Sequence, residues 1–137
     1  MMYEWSAQRE NMFLVTGHTH QPVFESLTHI ERLYRQFLFA RSINDESMRR
    51  ILEKEIQMRK FQFSNISEDF LHLKPCYFNA GCCCFNDGDI TGIEIEGKCI
   101  RMIKWKIIDG RSQRIVLEEA SFEELLTQGK RDHAAKK

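Results

Sequence analysis

Between Ile90 and Glu118 the chain alternates apolar runs with two glycine-centred reversals, a pattern that restricts this stretch to antiparallel β structure. Ile90 to Ile95 and Cys99 to Ile108 flank Glu96-Gly97-Lys98, which predicts a hairpin, and Asp109-Gly110 marks a second reversal before Arg114 to Glu118. Successive hairpins make a meander. Within Ile100 to Ile108 both alternating faces carry apolar residues, Ile100 and Met102 on one and Ile103, Trp105 and Ile107 on the other, so at least partial cover on both sides is expected. Before the meander, Cys76-Tyr77-Phe78 predicts a strand after Pro75, Cys82 to Phe85 a further strand or its continuation past Gly81, and Asn86-Asp87-Gly88 a turn. After it, Ser121 and Glu124 form an S-x-x-E capping box for a short helix with Leu125 and Leu126. Gly129 is expected to end that helix and leave 129–137 as a frayed polar tail.

The N-terminal half has a different period. Met12-Phe13-Leu14-Val15-Thr16 predicts a short buried strand stopped by Gly17. From Ser26, Leu27, Ile30, Leu33, Tyr34, Phe37 and Leu38 fall at helical spacing, so an amphipathic helix is predicted over 26–40. Asn44 or Asp45 can cap a second helix whose buried stripe would be Met48, Ile51, Leu52 and Ile56. Between Arg32 and Lys60 eight basic side chains face four acidic ones, four net positive charges. A solvated face with i,i+4 pairs such as Arg49 with Glu53 accounts for them. Helices followed by hairpins indicate an α+β fold.

With 137 residues and 16.3 kDa, the chain has the length of one average domain. Twenty Lys and Arg balance twenty Asp and Glu, so no overall field favours nucleic acid or an anionic membrane, and neither partner is expected. Met1-Met2-Tyr3-Glu4-Trp5 lacks the basic start and apolar run of a secretory signal, and no stretch has the ~20 apolar residues of a spanning helix. Five cysteines, with Cys82, Cys83 and Cys84 adjacent, are an odd and badly spaced set for disulfides and lack paired C-x-x-C spacing for zinc. Buried thiols in a reducing, cytoplasmic setting are the expectation.

The densest chemistry is Gly17-His18-Thr19-His20-Gln21-Pro22. In an extended backbone, histidines two apart point the same way, and paired neutral imidazoles at a strand end suit zinc, iron or manganese. Gly17 is expected to permit a sharp turn there. The run from Phe13 to Phe24 resembles the last metal-binding motif, Gly-His-x-His, of the calcineurin-like metallophosphoesterases. Tyr77-Phe78-Asn79-Ala80-Gly81-Cys82 is similar to the Asn-x-Gly strand that follows it in many members, and Ile90 to Ile95 with Met102 to Trp105 is similar to their closing hairpin. Glu4-Trp5-Ser6-Ala7-Gln8 looks like the end of a helix leading into the motif strand.

The resemblance implies the C-terminal portion of a two-sheet β-sandwich flanked by helices. Residues 1–25 would hold the strand and metal motif, 26–75 a helical insertion, 76–128 the hairpin region and short helix, and 129–137 the tail. It further implies that His18 and His20 each ligate one of two divalent ions (Mn, Fe or Zn), with Gly17, Thr19 and Asn79 beside the phosphate site. The reaction class is hydrolysis of phosphomonoesters or diesters, in which two cations activate a water and offset charge on the transferring group. The family's Asp-x-His, Gly-Asp and Gly-Asn-His motifs do not occur before Gly17. Gly88-Asp89 has the letters of one, but follows the histidines. The chain is therefore expected to be inactive alone and to need a complementing N-terminal fragment or homo-oligomer. The alternative is a non-catalytic binding module on the same scaffold, acting through the basic helical pair.

Overall fold

The computed structural model describes residues 2–19, 21–59, 68–82 and 88–134. In chain order the elements are α1 (Met2–Ala7), β1 (Leu14–Thr16), β2 (Val23–Phe24), β3 (Leu27–Thr28), α2 (His29–Ser42), α3 (Glu46–Met58), a 3-10 turn (Glu68–His72), β4 (Tyr77–Asn79), β5 (Ile90–Glu96), β6 (Cys99–Ile108), β7 (Arg111–Ser121) and α4 (Phe122–Ala134). The fold is α+β with two sheets and flanking helices. The chain divides into two compact units, 1–26 with 74–137, and 27–73.

The first unit is built on both sheets. In one, β4 lies between β1, parallel to it, and β2, antiparallel to it. The other is the meander β5-β6-β7. Phe24 and Phe78 from the first sheet meet Ile100, Met102 and Ala120 from the second and Leu125 from α4 in one buried cluster, with Phe13, Ile93 and Phe122 packed around it. Phe24 and Phe78 meet edge to face at 5.1 Å between ring centroids. Val15, expected to be buried, is 42% exposed. It sits on β1, the edge strand of its sheet.

Both predicted turns close the meander, Gly97 and Gly110 taking the positive φ that a tight reversal needs. Its strands run longer than the sequence suggests, since β7 extends from Arg111 to Ser121. The expected cover of β6 holds for only half its length. Ile100, Met102 and Ile103 are buried, whereas Trp105 is 38% and Ile107 70% exposed. The core reaches the Cys99 end of the strand, where Ile95, Ile100 and Ala120 are in register, and goes no farther.

The predicted capping box forms: Ser121 Oγ accepts from the Glu124 N–H and Glu124 Oε2 from the Ser121 N–H. Gly129 does not end α4, which continues to Ala134, so the expected frayed tail from 129 is helical as far as the described residues extend. Cys82 lies outside any strand, and the rest of the predicted strand to Phe85, with most of the Asn86-Asp87-Gly88 turn, lies outside the described residues.

The second unit is a helical hairpin. Helix α2 starts at His29 and not at Ser26, for a local reason. Glu25 and Ser26 both have positive φ, 52° and 64°, and the Ser26 hydroxyl donates to the Lys74 carbonyl while accepting from the Cys76 and Tyr77 N–H groups. A residue committed to that reversal cannot open a helix. The Thr28 N–H donates to Glu31 Oε2 instead, at the true start. Asp45 caps α3 by accepting from the Met48 N–H. Ile30, Leu33 and Ala40 of α2 pack with Leu52 and Ile56 of α3. Met48 and Ile51, placed in the buried stripe by periodicity, are 47% and 62% exposed; among the described residues the buried seam with α2 takes Leu52 and Ile56 of α3. Arg49 pairs with Glu46 one turn back and not with Glu53.

Candidate functional site

Strands β1 and β4 run parallel with Leu14, Val15 and Thr16 opposite Tyr77, Phe78 and Asn79, so both deliver their C-terminal ends to the same edge. Beyond that edge the ladder continues through loop backbone. The Ala80 N–H donates to the Thr16 carbonyl at 2.9 Å, and the His18 N–H to the Gly81 carbonyl at 3.0 Å. The Gly-His-x-His segment is thereby tied to the segment after β4.

The sharp turn is made by His18, whose φ is 71°, and not by Gly17. A Cβ on Gly17 would meet its nearest atom, the Gly81 carbonyl oxygen, at an ordinary 3.8 Å. Histidine tolerates the left-handed region better than bulky or branched residues do, yet the position remains strained by roughly 1–2 kcal/mol. The expected extended alternation therefore fails at its first histidine. Gly17, His18 and Thr19 are all exposed, and the Thr19 hydroxyl donates to the Gln21 carbonyl at 3.0 Å. His20 lies outside the described residues.

Asn79 is fully buried and wholly committed to its neighbours. Its Nδ2 donates to Thr16 Oγ1 and to the Tyr77 hydroxyl, both at 2.9 Å, and its Oδ1 accepts from the Gly81 N–H at 2.8 Å. Thr16 Oγ1 and the Tyr77 hydroxyl are themselves 3.0 Å apart. This closed polar set fixes the two strand ends relative to each other. Gly81 has φ +78°, and a Cβ there would lie 2.9 Å from Pro22 Cγ and 3.0 Å from Thr91 Oγ1. Thr91 in turn donates to the Ala80 carbonyl at 2.6 Å. Thr16, Tyr77, Gly81 and Thr91 hold the rim together, and sequence reading missed that role. The two-residue step from Asn79 to Gly81 was the available sign, since an asparagine can bond the backbone two residues on when glycine takes the turn.

The other ionisable candidates lie elsewhere. Asp89 is buried with Lys104 Nζ at 2.6 Å, so its carboxylate is already engaged. His29 opens α2 with Glu55 at 3.8 Å; partial burial, then the cations Arg59 and Arg32, hold its pKa below the usual imidazole value despite Glu55. His72 is exposed at the end of the 3-10 turn. Cys76 is buried with its sulfur 3.4 Å from Ser6 Oγ, and Cys82 and Cys99 are partly buried. Among the described residues, no three His, Cys, Asp or Glu side chains gather as a set able to hold a metal ion, and no helix is long and apolar enough to cross a membrane.

Chemically, the rim offers one exposed imidazole on a braced backbone. One imidazole does not neutralise a dication, so the described residues do not by themselves make a two-metal centre. No protein-family model, no curated protein and no solved structure matches the chain.

Proposed function

We propose that the chain contributes the Gly-His-x-His strand end of a metal-dependent phosphoesterase of the calcineurin-like type, working in the cytoplasm and inactive without a complementing chain. The observation that carries the reading is His18, exposed at the C-terminal end of a strand with its backbone bonded to Gly81. Ligand sites of parallel sheets gather at such strand ends. A strained, exposed histidine whose neighbours are braced by a buried network also fits a functional position better than a packing one.

In this reading His18 and His20 donate to divalent Mn, Fe or Zn, and the carboxylates such a centre needs come from a complementing N-terminal fragment or a second copy of the chain. The ions, when bound, would supply Lewis-acid stabilisation for hydrolysis of a phosphomonoester or diester. The chain's own part is to bind and orient. Asn79, through Thr16 and Gly81, keeps the rim from shifting when a metal is taken up or lost. Gly17 and Thr19 border the histidine on the exposed side, where a phosphoester would approach.

The test is hydrolysis of p-nitrophenyl phosphate and bis-p-nitrophenyl phosphate with Mn²⁺. The chain alone should show negligible turnover. Co-expression with a fragment carrying Asp-x-His, Gly-Asp and Gly-Asn-His should restore it, and His18→Ala with His20→Ala should abolish the restored activity. Turnover that survives the double substitution would sink the metal assignment.

A second reading, a non-catalytic binding module, draws on the helical hairpin. Phe39, Ile51 and Met58 are 65%, 62% and 76% exposed there, among Arg41, Arg50 and Lys54. Charge reversal at Arg49 and Arg50 should then abolish partner capture while the histidine changes leave it intact.

A further inference from the structure

At the opposite end of β1 from His18, the first unit contains a cavity of about 410 Å³. It lies where the segment before β1, the entry to β4 and the face of α4 meet, and its volume is that of a small-molecule site. Met12, Phe13, Pro75, Leu125 and Leu126 supply an apolar wall. Three charged side chains complete it: Glu10, Lys74 and Lys130.

Charge and geometry favour an anion at the polar side. Lys74 Nζ donates to the carbonyls of Ala7 and Arg9, which uses two of its three protons and cancels none of its charge. Neither Lys74 nor Lys130 meets a carboxylate among the described residues. Glu10 is exposed on the rim, so the walls carry one net positive charge. Gly129 is the second observation. A glycine in the interior of α4 weakens the helix by roughly 0.5–1 kcal/mol relative to alanine and calls for a packing reason. Lys74 packs at this position: a Cβ on Gly129 would stand 3.4 Å from Lys74 Cε, an ordinary contact distance, so the lysine stem lies along the helix wall beside the cavity.

We propose that this cavity binds a small amphipathic acid, with its apolar body against Met12, Phe13, Leu125 and Leu126 and its carboxylate at Lys74 and Lys130. The site is separate from the histidine rim and does not depend on the phosphoesterase reading.

Calorimetric titration of the chain with decanoate and with 1-decanol, below their aggregation concentrations, tests it. Decanoate should bind at least roughly tenfold more tightly, the expected gain from charge-assisted hydrogen bonds over a neutral head group. Lys130→Met and Lys74→Met should each bring decanoate toward the affinity of decanol, and Leu126→Trp should block both ligands. His18→Ala should change neither. Lys74→Met also removes a donor from the end of α1, so Lys130→Met carries the test if the former melts at lower temperature. No decanoate binding, equal affinity for acid and alcohol, loss with His18→Ala, or undiminished binding in a folded Leu126→Trp variant would each overturn the proposal.

Discussion

The two sheets of the first unit solve the same problem in opposite ways. The mixed sheet has strands of two or three residues, too short for their ladders to hold them, and depends on side chains: Phe24 and Phe78 below, and the Asn79, Thr16 and Tyr77 set at the rim. The meander has strands of seven to eleven residues paired along their length but for one register shift between Met102 and Ile103, yet many of its apolar side chains face water, with Ile95 59%, Ile107 70% and Val116 44% exposed. Its exposed side is crossed by ion pairs, Arg114 with Glu94, and Arg101 with Glu96 and Glu119. Length substitutes for burial in one sheet, and burial for length in the other. The site proposed above lies on the short one, where a rim fixed by a few specific groups can hold one side chain in a defined position.

The largest effect should come from cutting the aromatic support. Phe78→Ala should cost about 3–5 kcal/mol in chemical denaturation, the range for a fully buried aromatic. Removing the polar support is next. Asn79→Leu fits the volume but leaves the Gly81 N–H and two hydroxyls short of partners, so a loss of about 2–3 kcal/mol is expected. An unchanged midpoint would mean that the network is incidental. Gly81→Ala should cost about 1–3 kcal/mol, since the left-handed backbone and the close Pro22 ring both oppose a methyl group. By contrast Ile107→Thr, on the exposed stretch of β6, should shift stability by less than about 0.5 kcal/mol. A larger loss would show that something covers this face in solution.

The smallest effect is a pH response of the meander. The Arg114 guanidinium, hydrogen bonded to Glu94, holds that carboxyl below its ordinary range. A depressed carboxylate adds stability that is present above the unfolded value near 4.5 and is lost as pH falls through the folded value. Acid titration should therefore loosen the meander, whose outer strands the Glu94–Arg114 pair links across β6, before the mixed sheet, whose rim network contains no ionisable carboxylate. Glu94→Gln should flatten the response, and added salt should weaken it. A slope unchanged by Glu94→Gln would assign it to another group.

Local patterns explain how much of this was legible beforehand. The meander was, because hairpins pair neighbours in sequence and Gly97 and Gly110 announce their own turns. So were the caps at Asp45 and Ser121, which act over three residues. What escaped depends on distant partners. Ser26 reads as a helix start until Lys74, Cys76 and Tyr77 claim its hydroxyl from about fifty residues away. Gly129 reads as a terminator, yet α4 continues through it, with the stem of Lys74 packed alongside. The histidine motif was visible as letters. Its conformation was not, because the turn was assigned to glycine and the structure gives it to His18.

That conformation has an evolutionary consequence. With φ at 71°, position 18 is one where glycine would be the fitter residue if folding alone were selected. A library varied at this position and sorted only for resistance to heat or protease should drift from histidine toward glycine, with asparagine next. Retention of the imidazole under natural selection would then measure the strength of whatever demand is placed on it, independently of any assay for what that demand is.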